Sequence, residues 1–136
     1  MIRKRVADKA KSKSMIDAAS LEMNFLKTLK VSIESGATII RGIYENFRML
    51  GDALLLMRGK EATGLDHHNE MINELFTLNI QTKRPINVLN SLKSLRNKIN
   101  YRGYIPSIEE TRDSLSIADA CFEPILIQVR KELEKI

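Results

Sequence analysis

Apolar side chains recur at intervals of three and four from Met15 onward, with Met15, Ile16, Ala19, Met23, Leu26, Leu29 and Ile33 on one stripe. That spacing follows the 3.6-residue turn of an α-helix and conflicts with the two-residue alternation of a strand. It predicts a long amphipathic helix over about residues 9–33, with Gly36 as a stop just past its end. A second helix is expected over residues 37–58, ATIIRGIYENFRMLGDALLLMR, ended by Gly59. Its higher apolar content places it nearer the centre of the fold. After the loop GKEATGLD, Asp66 is a suitable N-cap for a shorter helix, HHNEMINELFTL, whose stripe is Met71, Ile72, Leu75 and Phe76. Pro85 is placed to open a fourth helix with the stripe Ile86, Leu89, Leu92, Leu95 and Ile99, and Gly103 to end it. Ser107 and Glu110 have capping-box spacing at the head of a last helix, which Pro124 is expected to kink or break near Phe122.

These segments predict an all-α protein, an up-and-down helical bundle of four to five helices in a single domain over residues 1–136. Composition agrees: aromatic residues are 5% with no tryptophan, whereas leucine, isoleucine, methionine, lysine and glutamate, which favour helices, are plentiful. The one cysteine, Cys121, lies in the apolar stretch ADACFEPILI and reads as a buried structural thiol. No Cys/His cluster has zinc-ligand spacing, so neither a metal nor a cofactor is expected. No apolar run approaches the ~20 residues of a membrane span, and MIRKRVADKAKSKSM does not read as a signal peptide, so the expected location is cytoplasmic.

The formal charge of +5 is unevenly placed. Residues 1–13 form a basic N-terminal arm, with Arg3, Lys4, Arg5, Lys9, Lys11 and Lys13 against Asp8 alone, and the rest of the chain is neutral in sum. Such an arm suits phosphates or an acidic partner, and equally a solvated helix start. A second imbalance lies within the neutral remainder. No acid occurs between Glu74 and Glu109, a span that holds Lys83, Arg84, Lys93, Arg96, Lys98 and Arg102.

That span contains SLRNKINYRGY, residues 94–104. The apolar stripe fixes the inward side of its helix, which leaves Lys93, Arg96, Asn97 and Asn100 on the flanks or outside. Arg96, Asn97, Tyr101 and Tyr104 are expected to gather near the helix end if the helix continues that far, where an arginine fork with amide and phenol groups suits phosphate oxygens. An ordinary solvated helix face is the competing expectation.

The segment resembles the HEPN domains, small helical bundles of which many cleave RNA. Their signature is an arginine, usually followed by a polar residue such as asparagine, then a histidine after four to six intervening residues. Arg96 and Asn97 match its first part, and Tyr101 stands where the shortest form has histidine. The stretch IYENFRMLGDALLLMRGKEATGLDHHNEMINEL is similar to the family's earlier helix pair, so the resemblance covers about residues 37–104. It implies a homodimer whose paired fourth helices bring two copies of Arg96 into one cleft, and metal-independent cleavage in which the RNA 2′-hydroxyl attacks the adjacent phosphate. Arg96, Asn97 and Tyr101 then stand as catalytic candidates, and Lys93, Lys98, Arg102 and Tyr104 as RNA- or phosphate-binding candidates. Glu45 is expected either to orient Arg96 or to form a surface pair with Arg48.

The replacement of histidine matters chemically. Histidine exchanges protons near neutral pH, whereas a tyrosine hydroxyl is a poor proton acceptor there and serves better as a hydrogen-bond donor or acid. His67 and His68 are poor substitutes, because they belong to the first turn of a different helix. The expected function is therefore RNA binding with weak or degenerate ribonuclease activity of toxin-antitoxin type. A non-catalytic module partnering a small nucleotidyltransferase is the alternative, with tyrosine as a modification site. A helical nucleotide-binding protein is a third, for which no glycine-rich phosphate loop speaks.

Overall fold

The computed structural model describes residues 2–4, 6–62 and 67–136, with the backbone alone for residues 3, 4, 61, 67 and 68. Five helices carry the described residues: α1 (Lys9–Leu26), α2 (Gly36–Met57), α3 (His67–Leu75), α4 (Val88–Arg102) and α5 (Ile108–Glu134). The protein is an all-α bundle, as the periodicity predicts. Two short strands accompany it, β1 (Ile2–Lys4) and β2 (Lys60–Ala62), paired antiparallel with Arg3 opposite Glu61.

The core is organised around α2, in which 14 of 22 residues are buried, among them Ile39, Ile40, Ile43, Tyr44, Phe47, Leu50 and Leu54. A helix buried around most of its circumference needs neighbours on several sides. On one side α1 runs antiparallel to it: Leu26 packs at Gly42, and the Ser12 hydroxyl donates to the Ala53 carbonyl at 3.2 Å. On another α5 runs in the same direction as α2, with Thr111 beside Gly36, Phe122 edge-on to Phe47 at 5.4 Å, and Glu132 3.8 Å from Arg58. Arg58 also donates to Glu74 and Thr77 and so ties α3 to the end of α2. Cys121 is fully buried, which pushes its thiol above the usual range and suits a structural role.

Several boundaries differ from the expectations, each for a local reason. The first helix ends at Leu26, well before residue 33, because the Thr28 hydroxyl takes the Phe25 carbonyl at 2.7 Å and Ser32 and Ser35 bond each other in the connector. Gly36 is not a stop but the first residue of α2, and a Cβ there would lie 2.6 Å from Thr111 Oγ1. The fourth helix starts at Val88 rather than Pro85. Pro85, Ile86 and Asn87 instead accept from the amides three residues on, a tight turn leading into α4. Pro124 does not break α5, which is continuous from Ile108 to Glu134 and held against the core by buried Cys121, Phe122, Ile125 and Leu126. The residues expected to form a loop after Gly59 and a basic arm before α1 are partly paired as the β ribbon. The antiparallel α1–α2 pair brings these ends together. Asp66, expected as a cap, and Arg5 lie outside the described residues, as do the side chains of Arg3, Lys4, His67 and His68.

Other expectations are met. Gly59 and Gly103 close α2 and α4 with φ of 71° and 64°. The Ser107–Glu110 capping box is present in both halves.

A Cβ built on Gly51 would sit 2.0 Å from the Met71 backbone carbonyl, where only a movement of α3 could relieve it. Gly51→Ala should therefore destabilise the protein by more than ~2 kcal/mol. Gly103→Ala meets nothing within 4 Å and should cost about 1–2 kcal/mol from its left-handed φ. Urea midpoints in that order would support the assignment, and equal midpoints would contradict it. The Asn46 amide nitrogen is buried without a hydrogen-bond partner among the described residues. Asn46→Leu should accordingly leave the thermal midpoint unchanged or raise it.

Candidate functional site

Helix α4 buries only Leu89, Leu92 and Ile99, so most of its circumference is open to contacts beyond the core. Its polar residues divide between two flanks. Lys93, Arg96, Asn97, Asn100 and Tyr101 lie on one side of the apolar stripe, and Lys98 and Arg102 on the other. The basic span of the sequence is therefore not one continuous surface.

Arg96 is the best-held residue on the first flank. Its guanidinium carbon stands 5.1 Å from the ring centre of Tyr44 on α2 and 5.9 Å from that of Tyr101, both within cation–π range. Arg96 Nη1 donates to the Asn97 side-chain oxygen at 3.0 Å. A guanidinium has five N–H donors, so four remain without a protein acceptor among the described residues. Tyr44 is almost fully buried, which pushes its phenol upward, with Arg96 pulling the other way. It stays neutral and serves as a fixed apolar face beneath the arginine. Tyr101 is 74% exposed and presents its ring to solvent beside the same guanidinium.

A cleft of about 310 Å³ opens next to Arg96, lined by Glu22 of α1, Arg41, Gly42 and Glu45 of α2, and Arg96 and Asn100 of α4. Glu45 accepts from both Arg48 Nε and Arg48 Nη2, so this carboxylate has the Arg48 partner foreseen for it while sharing the cleft wall with Arg96. Glu22 and Arg41 make no hydrogen bond or ion pair among the described residues. Sequence reasoning did not find Tyr44, Arg41 or Glu22. Only a phenol in the most apolar helix gave any signal for Tyr44.

The remaining candidates are placed elsewhere. Lys93 shares the flank of Arg96 but reaches across to α3, where it donates to the Asn69 side-chain oxygen at 3.0 Å. The left-handed turn at Gly103, with the Tyr104 amide returning to the Lys98 carbonyl, reverses the chain. Tyr104 thus leaves Arg96, packs 4.9 Å from the Lys98 ammonium, and donates to Glu110 at 2.7 Å. Arg102 is exposed at the end of α4. A larger groove of about 480 Å³ between α4 and α5 includes Lys98, but Glu109, Glu110 and Asp113 rim it, an unfavourable lining for a polyanion. Among the described residues no group of three or more His, Cys, Asp or Glu could hold a metal ion.

The Glu110 carboxylate is held below its usual range first by the Ser107 backbone amide and then by the Tyr104 phenol. A depressed folded pKa stabilises the fold above the unfolded value and loses that effect as pH falls through it. Glu110→Ala should lower stability by about 1 kcal/mol at pH 7, a difference that shrinks once pH falls below about 4. Paired thermal melts across that range check it, and a pH-independent difference would refute the role. No known family model matches the chain, and neither a curated protein nor a solved structure does.

Proposed function

We propose that the chain is a HEPN-like RNA-binding protein that grips single-stranded RNA through the Arg96 face of α4. The observation that carries the reading is the state of Arg96: oriented by two aromatic rings and one amide, with four donors turned to no protein group. A fork held in this way loses little side-chain freedom on meeting a phosphate, and charge-assisted pairs of this kind are strong. Arg41 adds a second cation without an ion pair on the facing wall. Tyr101 offers a ring on which an unpaired base can stack.

In this proposal the protein acts as a homodimer through α4, placing two Arg96 side chains along one RNA strand. The half-buried flank and thin core contact of α4 leave a surface for the second copy. Where the strand is cleaved, the 2′-hydroxyl gives its proton to water as it attacks the adjacent phosphorus, the bond from phosphorus to the 5′-oxygen breaks as that oxygen takes a proton from Tyr101 or water, a 2′,3′-cyclic phosphate is left, and the guanidinium stabilises the extra negative charge. Tyr101 is suited to donating a hydrogen bond or a proton and poorly suited to taking one, so binding predominates and cleavage is weak. A second reading, partnership with a nucleotidyltransferase-type protein, is favoured by the exposure of the Tyr101 ring at the site edge.

Fluorescence anisotropy with labelled single-stranded RNA tests the proposal. Affinity should fall steeply with salt, and Arg96→Ala should weaken binding about tenfold or more at low salt. Tyr101→His should increase cleavage above wild type if the site lacks only its proton acceptor. Binding that is absent, or that ignores both salt and Arg96, would sink the RNA reading.

A further inference from the structure

We infer that the cleft beside Arg96 is a guanine-reading subsite, in which the Glu22 carboxylate takes the Watson–Crick edge of one unstacked guanine whose phosphate lies on Arg41 and Arg96. The inference rests on the RNA-binding proposal and names what that site selects.

The starting point is a conflict within the cleft. A phosphate site gains from Arg41 and Arg96 but loses from any uncompensated carboxylate nearby. Glu45 is compensated by Arg48. Glu22 is not: it lines the same cleft, yet it pairs with neither arginine nor with any other described residue. A free carboxylate among cations in a nucleic-acid site calls for a ligand group that donates hydrogen bonds.

Helix packing sets where the backbone that carries this carboxylate stands. Gly42 lets α1 approach α2 so closely that a Cβ there would lie 2.6 Å from Leu26 Cδ1. Glu22 is one helical turn before Leu26, and Arg41 adjoins Gly42, so the close approach sets these two side chains on facing walls of one cleft. The third wall is α4, where Asn100 follows Arg96 by one turn. A cleft of about 310 Å³ is at the small end of ligand sites and suits a single nucleotide.

Base chemistry then discriminates. A carboxylate is an acceptor with two oxygens side by side. Guanine presents two adjacent donors, N1–H and the N2 amino group, which can meet both oxygens at once. Cytosine and adenine each set an acceptor nitrogen beside their amino donor, and uracil flanks its one donor with two carbonyls. Each of those places a lone pair against the carboxylate. Bases of single-stranded RNA are read in this way, by their exposed edges once unstacked.

The experiment uses the full chain and three labelled nonamers: oligouridine, the same strand with one central guanosine, and the same strand with inosine there, which lacks the N2 amino group. The guanosine strand should bind about tenfold tighter than oligouridine, the discrimination typical of a bidentate base contact. Inosine should lose most of that gain. Glu22→Gln should abolish the guanosine preference while oligouridine, relieved of the carboxylate's repulsion, binds as tightly as before or tighter, and Arg41→Ala should weaken both strands alike. Glu22 and Arg41 are exposed, so neither change should disturb folding. Arg96-dependent binding without a guanosine preference, or a preference that survives Glu22→Gln, overturns the inference and leaves the RNA reading standing. Binding of neither strand, or binding indifferent to Arg96, removes both.

Discussion

The close approach of three helices to α2 is the constraint on which the rest of the structure depends. Three α2 glycines permit it, Gly36 beside Thr111 of α5, Gly42 beside Leu26 of α1, and Gly51 against the backbone of Met71 in α3. At each point a missing side chain lets another helix come near, and the larger apolar residues of α2 then fill the space between. A chain with few aromatic residues gains its packing density from interlocked aliphatic side chains, which requires such short interhelical distances. The same approach at Gly42 forms the floor of the cleft beside Arg96, so core packing and the candidate site share one cause.

Electrostatics in the protein are local rather than global. The net charge suggests a broadly basic molecule, yet the surface separates into distinct environments. On one flank of α4 an arginine sits over two rings, with a second arginine across a narrow cleft. On the other, Lys98 covers Tyr104 beside an acid-rimmed groove. The two surfaces belong to one short helix and present opposite chemistry. Lysines near the start of α1 are also engaged: Lys13 pairs with Asp17, and Lys9 donates to the Ile136 carbonyl.

Much of the fold was legible because helical periodicity is a local signal. The five helices, the left-handed turns at Gly59 and Gly103, and the capping box at Ser107 all follow from residues within one or two turns of each other. What escaped depends on distant partners. The β ribbon joins residues nearly sixty positions apart, and the role of Gly36 is set by Thr111. The continuity of α5 through Pro124 reflects burial on both sides of the proline, which outweighs the lost hydrogen bond. The candidate site divides in the same way. Arg96, Asn97 and Tyr101 were legible as one segment, and the structure keeps them together. Tyr44, Arg41 and Glu22 join them only through the packing of α1 and α2. Tyr104 was misplaced because three residues of spacing meant a shared face only if the helix continued, and Gly103 turns the chain away.

The thin attachment of α4 has a consequence for motion. Three buried residues fasten it, against fourteen in α2, and a tight turn and a glycine bound its two ends. Local opening free energies follow burial, so the amide hydrogens of α4 should exchange with solvent well before those of α2. By that argument the helix that carries Arg96 should open more readily than the α1–α2–α5 framework. A ligand bridging Arg96 and Arg41 would fasten that helix to the framework. Its occupancy would register as slowed exchange in α4 rather than as a change of shape.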